Sequence, residues 1–237
     1  MPETPTIREC GGVRWRPKLR AGRNRRPRLS QNGPETVYST SMTDAANRAL
    51  LIVDVQPTFC EGGELAVDGG NNTASAIADF VNANRNKYGK IVTTQDWHIE
   101  PGDHFSETPD FVDTWPAHGV AGTPNAELHP AIAPLNPDIS VQKGQYAAAY
   151  SGFEGTDAAG SSLDTILKSN GISDVDVVGI AESHCVKATA LDAQNLGYNT
   201  RVFTDLTVPV TEDQGVAARA EMSAAGVALT PSAAAAF

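Results

Sequence analysis

From Ala49 onward the chain alternates between short apolar runs and longer stretches with helical spacing. Ala49–Val53 and Lys90–Thr94 are rich in β-branched residues and predict buried strands, with Ile139–Gln142 a weaker candidate. Asp176–Ile180, Thr200–Thr204 and Val227–Leu229 complete the set. Between them, Thr73–Lys87, Ser161–Ser169, Cys185–Leu196 and Asp213–Ala224 carry helical patterns. Gly171, Gly197 and Gly226 stand just past three of these, where a helix end accepts a left-handed residue. Strand and helix in alternation predict an α/β fold whose mostly parallel sheet is covered on both faces. Ligands of such sheets bind beyond the carboxyl ends of the strands. Asp54, Asp96, Lys143 and Ala181 each fall at such an end or just after it, so four strands deliver polar or special residues to one rim. The stretch 97–138 is long, rich in Pro and without clear periodicity, which predicts a functional loop rather than an idle one.

Charge divides the chain in two. Residues 1–41 hold nine of the 18 Lys and Arg but only three of the 28 acidic residues, leaving a net of −16 for 42–237. Arg and Pro with little to bury predict a disordered basic extension over 1–41, read as a coding extension ahead of Met42, a nucleic-acid arm or a transit-like peptide. The folded domain is expected over 42–237. So acidic a body excludes nucleic acid and an anionic membrane surface as expected partners. Cys10, Cys60 and Cys185 are too few and scattered for a disulfide framework, and the longest early apolar run, Ala49–Val53, is too short for a signal or a membrane span. A cytoplasmic protein, monomer or homo-oligomer, is expected.

Three of the five histidines lie within 21 residues, beside a strand-end aspartate. Asp96 and His98, two apart, point to one side of an extended backbone, and the turn Pro101-Gly102-Asp103 can fold His104 back toward them. His118 can add a third nitrogen. Imidazoles with one carboxylate suit a single divalent transition metal, with Zn, Fe and Mn all compatible. Cys185 follows a buried strand at the expected start of a helix, where unpaired amides and the helix dipole favour a thiolate. It is therefore a candidate nucleophile, the alternative being a small buried apolar cysteine. Asp54 ends the first strand, where a carboxylate is costly without a partner. Paired with Lys143 it is expected to stay ionised, either as a catalytic base or within a structural ion pair closing the strand ends. His184 adjoins Cys185 and therefore cannot face it on a helix.

At these residues the chain resembles the nicotinamidases, also called pyrazinamidases, of the isochorismatase-like hydrolase superfamily. The resemblance lies in LLIVDVQPTFCEGGELAV (50–67), TTQDWHIEPGDHF (93–105), TWPAHGVAGT (114–123), KGQYAAAYSGFEG (143–155) and VDVVGIAESHCVKATALDA (175–193). It runs in order through 49–230 and does not reach 1–41. It implies a three-layer α/β/α sandwich with a six-stranded parallel sheet. It further implies a triad of Asp54, Lys143 and Cys185, and a divalent metal held by Asp96, His98, His104 and His118. A non-proline cis peptide between Ile180 and Ala181 is implied too, turning the amides of Ala181 and Cys185 toward an oxyanion. Phe59, Trp115 and Tyr150 match positions around the substrate ring. Thr58 and Gly119 depart from the family pattern, which carries Asp and Cys at these places in many relatives, and neither is expected to touch the triad or the ligand set. The implied reaction is hydrolysis of nicotinamide, and by extension pyrazinamide, to the acid and ammonia through a cysteine thioester. The alternative is an amidohydrolase of the same superfamily acting on another carboxamide or an N-carbamoyl compound. Isochorismate hydrolysis would not need Cys185, and a binding protein without catalysis would not need the whole triad. A dinucleotide site would need a Gly-rich turn where Val55-Gln56-Pro57-Thr58 stands.

Overall fold

The computed structural model describes residues 45–237, so the expected basic extension and Cys10 lie outside the described residues. Six strands form one sheet: β1 (Arg48–Val53), β2 (Lys90–Asp96), β3 (Ile139–Lys143), β4 (Asp174–Ile180), β5 (Asn199–Val208) and β6 (Ala228–Thr230). Every pairing is parallel, in the order β3-β2-β1-β4-β5-β6. Helix α1 (Gly70–Asn84) follows β1, α2 (Leu163–Ser169) precedes β4, α3 (Lys187–Asn195) follows it, and α4 (Glu212–Ala224) follows β5.

Successive side chains of a strand point to opposite faces, and β1 shows what that does here. Leu51 and Val53 enter a core with Ile166 and Leu167 of α2, Ala190 and Ala193 of α3, and Met222 of α4. Leu50 and Ile52 enter the other core, with Ile77, Phe80 and Val81 of α1. An apolar run without polar breaks is what a strand buried on both faces requires. The result is the three-layer sandwich, with three helices on one face and α1 plus the segment around Ile132 on the other.

The chain steps outward from β1 to β3, then returns to the far side of β1 and proceeds from β4 to β6. Order therefore reverses between β1 and β4, and a crevice opens beyond their carboxyl ends. Dinucleotide-binding sheets share this order, so the loop after β1, not the topology, separates this site from theirs.

The strand boundaries extend beyond the hydrophobic runs. β4 starts at Asp174 because Arg48, its register partner on β1, binds the acidic side chain at 3.1 Å. β5 continues to Val208 past a register shift against β4, and polar Asp205 hides that continuation from the pattern. Gly171, Gly197 and Gly226 take positive φ just beyond α2, α3 and α4. The expected helix Cys185–Leu196 is different: a π-helical turn, Glu182–Val186, precedes α3, because the Val186 amide reaches back five residues to the Ala181 carbonyl at 3.2 Å. Cys185 thus sits inside a widened turn, not at a helix start. Among the described residues no helix is long and apolar enough to cross a membrane.

Candidate active site

The rim is built by register. Asp96 and Lys143 are direct partners across β2 and β3, and the pairing of Val53 with Gly179 brings the ends of β1 and β4 side by side. Lys143 is completely buried. Its ammonium lies 3.0 Å from Asp54 Oδ2, donates to Asp96 Oδ1 and to Ala149 O (2.9 Å), and approaches Cys185 Sγ at 3.8 Å. Lys143 is therefore shared between two aspartates, not paired with Asp54 alone as expected from the sequence. Asp54 Oδ1 accepts from Thr94 at 2.6 Å, whereas Oδ2, despite its nearness to Lys143, accepts no well-aligned hydrogen bond.

This crowding sets the electrostatics of the site. Burial raises the Asp54 carboxyl above its ordinary value; Lys143 and Thr94 oppose it, and the charge of Asp96 adds to the rise. Burial, with the charges of Asp54 and Asp96, also raises the Cys185 thiol well above its ordinary value against the pull of Lys143, so the thiolate expected from the sequence is not favoured in the resting site. Asp96 moves the other way. Burial alone would raise it, but Lys143 together with His118 and His98 holds it well below the carboxylate range. Lys143 is discouraged by burial, yet Asp54 and Asp96 hold it firmly protonated. The site thus sets a protonated thiol beside a carboxylate of raised proton affinity, a donor and an acceptor for one proton.

The histidines are gathered by the loop after β2. The His98 amide donates to Gly119 O (2.9 Å) and the Ala121 amide to His98 O (2.9 Å), tying the two histidine segments together. The Pro101 turn closes as Gly102–His104, with His104 N bonded to Pro101 O at 3.3 Å. His98 Nδ1 donates to Gly144 O (2.6 Å) and His118 Nδ1 to Pro116 O (2.8 Å), since a carbonyl only accepts. In the neutral ring each Nε2 is then a free lone pair facing inward. Ligand atoms of His98, His104 and His118 lie within 4.8 Å of one another. Asp96 Oδ2 stands 3.6 Å from the Nε2 atoms of His98 and His118. Burial and the neighbouring imidazoles lower His104 to about 4, which leaves it neutral as a ligand must be. His98 Nε2 and His104 Nδ1 are buried without any partner. Orphaned imidazole nitrogens converging beside a carboxylate fit a divalent transition metal.

Between this cluster and Cys185 lies a cavity of about 320 Å³. Phe59, Trp115, Tyr150, Ala181 and His184 line it. The Phe105–Trp115 bridge sets Trp115 beside His104, and Trp115 Nε1 donates to Tyr150 Oη at 2.9 Å. The Ile180–Ala181 peptide is cis. Two amides, of His184 and Val186, bond the Ala181 carbonyl at 3.0 and 3.2 Å, and the Cys185 amide lies between them.

Of the eleven residues singled out from the sequence, eight line this cavity; Lys143 and Asp54 lie behind Cys185 and Asp96, and His98 behind His104 and His118. Several contributors were not singled out. Gln56 bonds both the amide and the carbonyl of Asp96 at 2.9 Å, and Thr94 holds Asp54. Gly144 has φ +74°, and a Cβ there would lie 2.5 Å from the His98 ring. His184 lines the cavity with its ring edge-on to Trp115 at 5.6 Å. The expectation for Gly119 does not hold, since its carbonyl accepts from the His98 amide, whereas Thr58 reaches the site only through Gly119. The Gly119 amide donates to Thr58 Oγ1 at 3.1 Å, and a Cβ at 119 would lie 3.0 Å from Asp96 Cβ, so the two departures are one contact beside Asp96. Of these contributors, the sequence places His184 beside Cys185 without giving it a role, and Gln56 carries a sequence signal as a polar residue two places after Asp54.

The description Isochorismatase domain matches residues 48–234. A nicotinamidase/pyrazinamidase of Mycobacterium tuberculosis is 52% identical over 182 residues, spanning 77% of this chain and 97% of that protein. The crystal structure of a Pyrococcus horikoshii pyrazinamidase in complex with zinc aligns with a TM-score of 0.66 and 32% identity, covering 78% of this chain and 99% of that one. An L. infantum protein solved in complex with nicotinate aligns with a TM-score of 0.69 and 32% identity over 80% of this chain and 95% of that one. A domain match across nearly all of the described residues, with relatives this similar along almost their full length, places the chain in the isochorismatase family.

Proposed function

We propose that this chain is a nicotinamidase, hydrolysing nicotinamide, and pyrazinamide with it, to the acid and ammonia through a thioester on Cys185. One observation carries the reading: Cys185, Asp54 and Lys143 form the floor of a small aromatic cavity whose wall holds three converging histidines. Its similarity to enzymes named nicotinamidase supports the substrate. The hydrolase domain is read as 42–237 and its compartment as the cytoplasm, supported by the free state of Cys60 and Cys185.

The planar ring lies between Phe59 and Trp115 with its carboxamide above Cys185, an orientation that removes several kcal/mol of barrier, about 7 or more when alignment is complete. Asp54 Oδ2, short of donors, takes the thiol proton as Sγ attacks the amide carbon. The ammonium of Lys143, 3.8 Å from Sγ, stabilises the negative charge as it forms. Charge then moves to the carbonyl oxygen, toward the amides of Ala181 and Cys185, each donor contributing about 3 kcal/mol in such sites. Asp54 returns the proton to the departing ammonia. Water, deprotonated by the same carboxylate, adds to the thioester and releases nicotinic acid and the free thiol. A divalent metal held by His98, His104 and His118 with Asp96 would supply a Lewis-acidic anchor for the ring nitrogen, directly or through water.

Ammonia release from nicotinamide, measured beside a Cys185→Ala control, tests the reading. The control is expected to lose activity by on the order of 10³-fold or more. A folded, metal-loaded protein releasing no ammonia would transfer the same triad to another carboxamide. Substantial activity in the control would remove the thioester.

A further inference from the structure

We propose that Arg219, acting through Glu182, is a positioning residue for the nucleophile, and that their ion pair clamps the turn Glu182–Val186 against α4. The inference rests on the amidohydrolase reading above and assigns that site a support from outside the cavity.

Glu182 is the first residue of the π-helical turn that carries Cys185, and its side chain is 1% exposed. Its Oε2 accepts from Arg219 Nη1 at 2.6 Å, and Arg219 Nη2 donates to Glu212 Oε1, in the first turn of α4, at 2.5 Å. The remaining oxygen, Glu182 Oε1, is buried without a partner. A carboxylate so placed is a poor stabilising device, because a well-packed apolar side chain would serve stability as well or better. What the pair provides instead is direction: a fixed guanidinium fork holding one end of a turn that lacks ordinary α-helical closure.

The surroundings are shaped around this fork. Gly215 sits inside α4, where glycine is about 1 kcal/mol worse than alanine. A Cβ at 215 would lie 2.8 Å from Pro209 and 3.1 Å from Arg219 Nη1, so the glycine leaves the guanidinium its path. The next residue of the turn is held from the same side, with the Val210 amide donating to Ser183 Oγ at 3.2 Å. At the far end of the turn, Lys187 reaches Glu221 of α4 at 2.8 Å, but there Glu221 is 55% exposed. Solvated pairs of that kind contribute little, so the clamp is one-sided and lies at Glu182. Only Ser183 and His184 separate Glu182 from Cys185, and the turn that carries the Cys185 amide begins one residue after Ala181. A displacement of 1 Å in such a constellation can cost on the order of 10²-fold in rate.

Full-length Arg219→Met, Arg219→Lys, Glu182→Gln and Glu221→Gln proteins are compared for kcat and KM on nicotinamide, thermal midpoint, and iodoacetamide alkylation of Cys185 read by mass. Arg219→Met is expected to lower kcat between about 10- and 100-fold with KM within about threefold, and to slow alkylation in parallel. Arg219→Lys recovers part of the loss, and Glu221→Gln changes neither quantity. A folded Arg219→Met protein with kcat and alkylation within about twofold of the parent overturns the proposal, as does a loss confined to KM or to the midpoint. Should Arg219→Met fail to fold, Glu182→Gln, which keeps the shape and removes the charge, carries the same expectation at smaller amplitude, and unchanged kcat and alkylation there overturn it. If the parent protein does not hydrolyse nicotinamide, the substrate reading fails while the alkylation comparison still decides the role of Arg219.

Discussion

Two aspartates, Asp176 and Asp54, are completely buried at opposite ends of the same sheet. Asp176, near the start of β4, accepts from Arg48, twice from Arg201, and from Tyr88, at 2.6 to 3.0 Å. Every lone pair it directs inward meets a donor, and two guanidiniums oppose one carboxylate. Asp54, beyond the end of β1, shares a single ammonium with Asp96, has one oxygen without a well-aligned donor, and faces a thiol. The amino end of the sheet closes its charges, and the carboxyl end leaves one open. A buried carboxylate becomes useful in proton transfer when its environment stops short of satisfying it.

That contrast can be broken from either end. Asp54→Asn is expected to lower kcat by on the order of 10³-fold, with little change in the unfolding midpoint, since a group held with a raised proton affinity contributes little as an anion. A midpoint drop comparable to that of a core mutation would show that Asp54 is as structural as Asp176. Asp176→Ala should do the reverse, destabilising the protein by about 3 kcal/mol in urea unfolding while kcat per folded molecule stays within about twofold, because it leaves two arginines opposed to nothing. Next in size, Gly144→Ala pushes a methyl against the His98 ring and should weaken metal binding by about 10- to 100-fold, measured by competition with a chelator; unchanged affinity would deny that ring orientation matters. The smallest effect is in pH. Asp54 has a folded proton affinity above the ordinary 3.8, so its contribution to stability is full below that value and fades as pH rises through the folded one. Stability of the parent relative to Asp54→Asn should therefore decline with rising pH in that window, and a rising difference would reverse the assignment.

Sequence legibility differed between these ends as well. The strands were readable because burial on both faces demands continuous β-branched runs, and the rim residues were readable because they interrupt those runs at strand ends. The histidine cluster was readable from spacing alone. The sharing of Lys143 was not, because it depends on the register that sets Asp96 across from it. The π-helical turn left no trace either, since a backbone bond five residues back is selected by what packs around it, and the helical pattern begins only at Cys185. Nor could the raised thiol be foreseen: position in the chain suggests a helix dipole, while only the depth of burial and the neighbouring Asp54 and Asp96 reveal what raises it.

The stretch from Trp97 to Asp138, which contributes His98, His104, Trp115 and His118, contains short 3₁₀ turns but neither α-helix nor strand. It joins two strands whose five register pairs hold without it. Apart from the isolated bridges His98–Val120 and Phe105–Trp115, residues there have no sheet alignment to lose, so this wall can drift in sequence while the reacting groups stay where the strand ends put them. Reshaping for a new ring is thus open to small, separable steps, a form of evolvability in which recognition is rewritten and the chemistry is inherited.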